Sequence, residues 1–186
     1  MTILHDLIQA YESRGFAIST GLNPYHLNNQ KHAPFTYLLK NGKQITDGLG
    51  IALQEIFFME SLLENFAPGN MCVIGNSFGW STLALGLADK KARARQDLGN
   101  KPGTILALDS GDEDFSLTGL ELTNRIAREH GLDIIAVQGT SPEDVGPLCN
   151  KHLEKPIGLA FIDGLHKNKQ IVLDFKACQE VAHPGC

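Results

Sequence analysis

Four short apolar runs, at residues 71–74, 104–108, 133–137 and 158–162, recur along the chain, each separated from the next by a segment long enough for a helix. Parallel strands need crossover connections of a dozen or more residues, usually helical, so this rhythm predicts a parallel sheet with helices on its faces. Such crossovers are right-handed and cover both sides of the sheet. The expected fold class is therefore α/β, a doubly wound parallel sheet.

The intervening segments carry helix signals. Residues 51–66 place apolar side chains at 52, 56, 59, 63 and 66, the spacing of one helical face, and Pro68-Gly69 stops the run. A helix is expected to begin near Trp80. Another, over 117–130, is closed by Gly131. Ser141-Pro142-Glu143-Asp144 predicts a further start, with Ser141 as N-cap, Pro142 in the first helical position and acids at the positive dipole end. Residues 171, 175, 178 and 182 form one apolar stripe on a last helix. Before this pattern, residues 1–44 form an N-terminal appendage: a helix over 3–13, a loop rich in Asn, His and Pro, and a hairpin over 35–45 turning at Asn41-Gly42. The main domain is expected over 45–186.

Composition narrows the function. The 186 residues are 42% hydrophobic, with 16 Lys+Arg against 21 Asp+Glu and a formal charge of −5. A core of this size removes about 70% of the unfolded surface from water, so neither disulfide nor structural metal is required. A mildly acidic chain lacks the basic face that nucleic-acid binding needs. The run from Lys90 to Arg95 reads as a solvated helix end, where positive charge complements the dipole. Cys72, Cys149, Cys178 and Cys186 form no CxxC pair and share no metal-ligand spacing with the seven histidines, so they read as thiols of a cytoplasmic protein. No apolar run approaches the ~20 residues of a membrane helix, and the N-terminus lacks a secretion-signal plan.

In open parallel sheets ligands bind at the carboxyl ends of strands, which makes the first strand's exit the candidate site. It reads Val73-Ile74-Gly75-Asn76-Ser77-Phe78-Gly79-Trp80-Ser81-Thr82. Gly75 permits a sharp turn and Gly79 permits close backbone approach. The rhythm is not GxGxxG, since Ser77 occupies the second glycine slot and Trp80 the third, so a dinucleotide is disfavoured; no Gly-Lys-Ser/Thr marks a P-loop. Tight-turn glycines of any α/β sheet would look similar. The second strand ends at Asp109, followed by Ser110-Gly111. A carboxylate there suits a ribose diol better than a phosphate, although an Asp at a strand end also begins turns.

These residues resemble the class I S-adenosylmethionine-dependent methyltransferase family. The loop 73–82 is similar to its first motif and Asp109 to its ribose-binding acid. Phe161-Ile162-Asp163-Gly164-Leu165-His166 resembles the Phe-Ile-Asp-Gly-x-His signature of a branch of small-molecule O-methyltransferases. The likeness runs over about residues 51–186 and implies a Rossmann-like sheet and S-adenosylmethionine as cofactor. It implies that Gly75, Asn76, Ser77 and Gly79 lie against the cofactor's amino-acid part, with Ser81 and Thr82 receiving its carboxylate. Asp109 and Ser110 would hold the ribose, Thr140 would border the adenine, and Asp163 would border the cofactor from the fourth strand. In metal-dependent relatives the residue matching Asp163 ligates a divalent ion, so the resemblance implies Asp163 as a Mg²⁺ ligand and His166 as a general base. A solvated histidine at a helix start is the plainer reading of His166.

The chain departs from the family pattern in three ways. Val73 stands where an acid is customary, Ser77 stands where a glycine is, and the family's sheet continues beyond the fourth strand. The chain is thus expected to be incomplete at its C-terminus, with residues 159–162 on an open edge. The implied activity is methyl transfer to the oxygen of a small molecule. The alternative is a non-catalytic adenosyl-binding or interaction protein on the same fold. The appendage is expected to cover the substrate side of the crevice or to contact a second copy in a homodimer, with no membrane or nucleic-acid partner.

Overall fold

The computed structural model describes residues 2–19, 36–45, 51–96, 103–112 and 116–184. Helix α1 (Ile3–Glu12) leads through Gly15 into β1 (Phe16–Ser19), which pairs antiparallel with β2 (Tyr37–Lys40); β3 (Lys43–Gln44) closes a three-stranded sheet. Asn41 (φ 53°) and Gly42 (φ 74°) make the expected turn. Strand β1 was not anticipated, because four residues directly after a helix carry too little alternation to stand out. The Asn/His/Pro-rich stretch lies outside the described residues, apart from its ends.

From α2 (Leu53–Asn65) onward the expected alternation holds: β4 (Asn70–Ile74), α3 (Trp80–Gln96), β5 (Ile105–Asp109), α4 (Ser116–His130), β6 (Ile134–Gln138), α5 (Val145–His152), β7 (Ile157–Ile162) and α6 (Asn168–Glu180). The sheet is parallel, in the order β6-β5-β4-β7, so the fold is Rossmann-like and β7 is an edge of the described sheet. Alternate residues of the strands feed two cores. Met71, Val73, Ile105 and Ala107 face α1 to α4, whereas Cys72, Ile74, Leu106 and Leu108 face α5 and α6. Buried on both faces, these strands read as continuous apolar runs.

Helix α1 buries Ile3, Leu7, Ala10 and Tyr11 in the same core as α3. Tyr11 packs its ring 5.7 Å from that of Trp80 and donates its hydroxyl to Phe78 O at 2.8 Å. Burial pushes the Tyr11 hydroxyl's pKa far up, which keeps it a neutral donor. The N-terminal helix thus supports the first loop from behind.

Three local expectations are corrected. Ser141 does not cap α5: residues 141–144 form a turn, Asp144 takes the N-cap position, and Ser141 Oγ donates instead to Asp174 Oδ1 at 2.6 Å. Asp174, 1% exposed, also accepts from Gln170 Nε2 at 2.7 Å. With those bonds Asp174 turns inward, and of the expected stripe Cys178 and Ala182 pack into the core whereas Ile171 and Phe175 stay exposed. The basic run closes α3 as expected, with Arg93 and Arg95 in its last turn, but it is not merely solvated. Lys91 pairs with Glu60, Arg95 with Glu64 and Arg93 with Asp89, and Lys90 Nζ donates to His130 O at 2.6 Å, so the run fastens α3 to α2 and α4.

Candidate functional site

The winding of the sheet reverses between β4 and β7, and the candidate residues gather at the carboxyl edge there. Asp163 N–H donates to Ile74 O at 2.8 Å, so the exits of β4 and β7 are laced together. Gly75, at φ 90°, lies so close to this seam that a Cβ would sit 2.7 Å from Asp163 C and 2.9 Å from Gly164 Cα. Gly79, at φ 84°, lies against Thr123, whose Cβ would be 3.0 Å from an added methyl. Both glycines are required by protein packing, whatever else they serve.

Between them Ser77 adopts φ 45°, unusual for a residue with a side chain. Asp109 holds it there: Oδ2 accepts from the N–H groups of Asn76 (3.1 Å) and Ser77 (2.7 Å), and Oδ1 from Gly111 (3.1 Å). A carboxylate has about four acceptor positions, so roughly one remains for a ligand hydroxyl. The acid at the end of β5 is first an anchor for the loop after β4.

The polar side chains of the loop divide. Asn76 and Thr82 are buried and bonded to each other, Thr82 Oγ1 donating to Asn76 Oδ1 at 3.0 Å, while Asn76 Nδ2 donates to Thr123 Oγ1 at 3.1 Å. Their side chains brace the loop. Ser81 is 6% exposed at the start of α3. Ser110 Oγ accepts from Asp112 N–H at 3.3 Å, and Ser110 O accepts from Gln138 Nε2 at 2.9 Å. Thr140 is exposed, and its N–H donates to Asp144 Oδ2 at 2.7 Å.

Asp163 and His166 form a pair. His166 Nε2 lies 2.9 Å from Asp163 Oδ1, with the imidazole side chain 74% exposed and the carboxylate 23%. Burial raises the Asp163 pKa, the His166 contact opposes that, and Glu55 on α2 adds a smaller upward push. A half-buried carboxylate beside an open imidazole can hold the ring's orientation while its face stays reachable. No group of three or more His, Cys, Asp or Glu side chains able to hold a metal ion occurs among the described residues. Asp163 therefore lacks described companions for a Mg²⁺ site.

Sequence reasoning missed α4 as the back wall of the site. A Cβ on Gly119 would meet Ser77 C at 2.8 Å, and Thr123 Oγ1 both accepts from Asn76 and donates to Gly119 O at 2.8 Å. The available signal was a pair of small residues four apart on one helical face.

A family model described as methyltransferase domain matches residues 72–186. No curated protein matches the chain. Among solved structures, the O-methyltransferase from Bacillus cereus in complex with S-adenosylhomocysteine aligns over 74% of this chain and 55% of its own, with 15% identity and a TM-score of 0.56. The SAM-dependent methyltransferase from Agrobacterium tumefaciens aligns over 81% of this chain and 47% of its own, with 10% identity and a TM-score of 0.51. A candidate O-methyltransferase from Klebsiella pneumoniae aligns over 100% of this chain and 62% of its own, with 14% identity and a TM-score of 0.55. This chain thus spans about half to three-fifths of their lengths, and at these identities the likeness is one of fold.

Proposed function

The chain belongs to the methyltransferase domain family, and from that premise we propose that it binds S-adenosylmethionine at the carboxyl edge and directs its methyl group to an oxygen of a small molecule. The observation that carries this reading is the convergence of the Gly75–Gly79 loop, Asp109 and the Asp163–His166 pair at the reversal of the sheet. The donor set suits an uncharged diol. Asp109 keeps about one acceptor position for a ribose hydroxyl, with Ser110 beside it. Gly75, Ser77, Gly79 and Ser81 would border the amino-acid part and Thr140 the adenine. Thr82 and Asn76 serve through the loop they brace.

When bound, the cofactor supplies an electrophilic methyl group on a sulfonium. The chain's residues supply alignment and proton removal. His166 would accept the proton of the acceptor hydroxyl, and Asp163, a positioning residue, would orient the ring and favour its cationic form once the proton has arrived. Oxygen is preferred as acceptor because the motif at 161–166 resembles O-methyltransferases and the Bacillus cereus neighbour bears that name.

One observation favours a second reading, an adenosyl-binding or interaction protein without turnover: three of Asp109's acceptor positions already serve the backbone. Calorimetry with S-adenosylmethionine and S-adenosylhomocysteine decides. Binding of both, with methyl transfer to hydroxylated acceptors, supports the transferase; binding without turnover supports the second reading. No heat up to millimolar concentration would end both.

A further inference from the structure

A hollow of about 490 Å³ is lined by Phe16 and Lys40 of the N-terminal sheet and by the face of α4 that carries Glu121, Arg125 and Arg128. Arg14 from the turn after α1 and Lys40 from β2 complete its charged lining. Four cations and one carboxylate thus converge on one concavity of a chain whose formal charge is −5. Arg14 is already engaged, donating to Glu129 and to Ala10 O. Lys40 lies 5.2 Å from the centroid of the Phe16 ring. Among the described residues no ion pair engages Lys40, Arg125 or Arg128. Elsewhere among the described residues Lys91, Arg93 and Arg95 of the long α3 are matched to acids, so three cations around one hollow with no described ion pair stand apart.

We propose that this hollow binds the phosphate chain of a small-molecule polyphosphate. Two guanidiniums one helical turn apart offer forked donors to adjacent phosphate groups, and Lys40 adds a mobile point charge from the opposite wall. Concave geometry concentrates the positive potential, and the volume falls in the range of small-molecule sites. The site is separate from the proposed methyl-transfer edge, and its existence does not depend on that reading. The two are nonetheless neighbours through α4, whose Gly119 and Thr123 back the cofactor loop.

The test is titration calorimetry of the full chain with inorganic pyrophosphate, alone and with S-adenosylhomocysteine present. Wild-type protein is expected to bind pyrophosphate more tightly than inorganic phosphate. Arg125→Gln/Arg128→Gln should weaken it by about tenfold or more with an unchanged thermal midpoint. Lys40→Gln, an independent arm should the double variant fold poorly, should weaken it by a smaller factor. Lys151→Gln/Lys155→Gln, outside the hollow, should leave it unchanged. Absence of wild-type binding, equal losses in the Lys151/Lys155 variant, competition with S-adenosylhomocysteine, or Arg125-dependent binding of a single-stranded oligonucleotide without pyrophosphate binding would each overturn the proposal.

Discussion

Replacing Gly75 by alanine tests how tightly the two central strand exits are joined. The new methyl would sit 2.7 Å from Asp163 C and 2.9 Å from Gly164 Cα, both backbone atoms that no rotamer change can move aside, at a residue with φ 90°. The left-handed conformation costs an L-residue about 1–2 kcal/mol, and forcing a methyl into a filled contact costs a further ~1–3 kcal/mol. Gly75→Ala is therefore expected to destabilise by roughly 2–5 kcal/mol. Gly69→Ala isolates the first part, since Gly69 has φ 73° and nothing within 4 Å of its added Cβ. It should cost about 1–2 kcal/mol. Urea denaturation of the three proteins side by side gives both values, and a thermal melt should separate them by about 2–4 °C per kcal/mol for a chain of this size. Equal losses in the two variants would refute the claim that the β4 and β7 exits are packed against each other at Gly75. S-adenosylhomocysteine binding should fall in Gly75→Ala alone, because only that change spreads the crevice.

Other expectations follow from the loop and the Asp163–His166 pair. Thr123→Val removes the buried hydroxyl between Asn76 and Gly119 and should cost about 1–3 kcal/mol by urea titration, with a matching loss of S-adenosylhomocysteine affinity. Burial raises the Asp163 pKa, so the folded state holds its proton more tightly than the unfolded chain does. The resulting stabilisation is complete below the ordinary carboxylate pKa of ~3.9 and is lost as pH rises through the raised value. Across that window the stability of wild-type protein relative to Asp163→Asn should fall with rising pH, as urea midpoints at a series of pH values will show. His166→Gln should lower kcat by about 10²–10⁴-fold, with KM for the cofactor little changed.

The parallel sheet was legible because its strands are buried on both faces and so appear as uninterrupted apolar runs, each ended by Gly, Asp or a short turn. Strand ends were displaced by one residue where pairing outlasts apolarity: Asp109 and Gln138 still face each other in the ladder. The Asn41-Gly42 turn was legible from local backbone preference alone. Ser141 was misread because its sequence context satisfies a helix cap, while its actual partner, Asp174, lies 33 residues on. The same distant pairing turns Asp174 inward, so that the first half of the apparent apolar stripe, Ile171 and Phe175, stays exposed. At the site, the sequence shows Gly75, Gly79 and Asp109 but not the division of labour among them. That Asp109 holds up Ser77, and that Asn76 turns inward toward Thr123, depends on contacts between residues 32 to 47 apart in the chain.

In the proposed complex an adenosyl ligand settles over the Asp109 carboxylate at the carboxyl edge. The most direct measurement of this placement is an amide NMR titration with S-adenosylhomocysteine. The N–H groups of Asn76, Ser77 and Gly111 all point at that carboxylate. These three resonances are expected to shift together, saturably and first, while those around Arg125 stay put. Saturable shifts that spare all three, or that centre on α4 near Arg125, would contradict it.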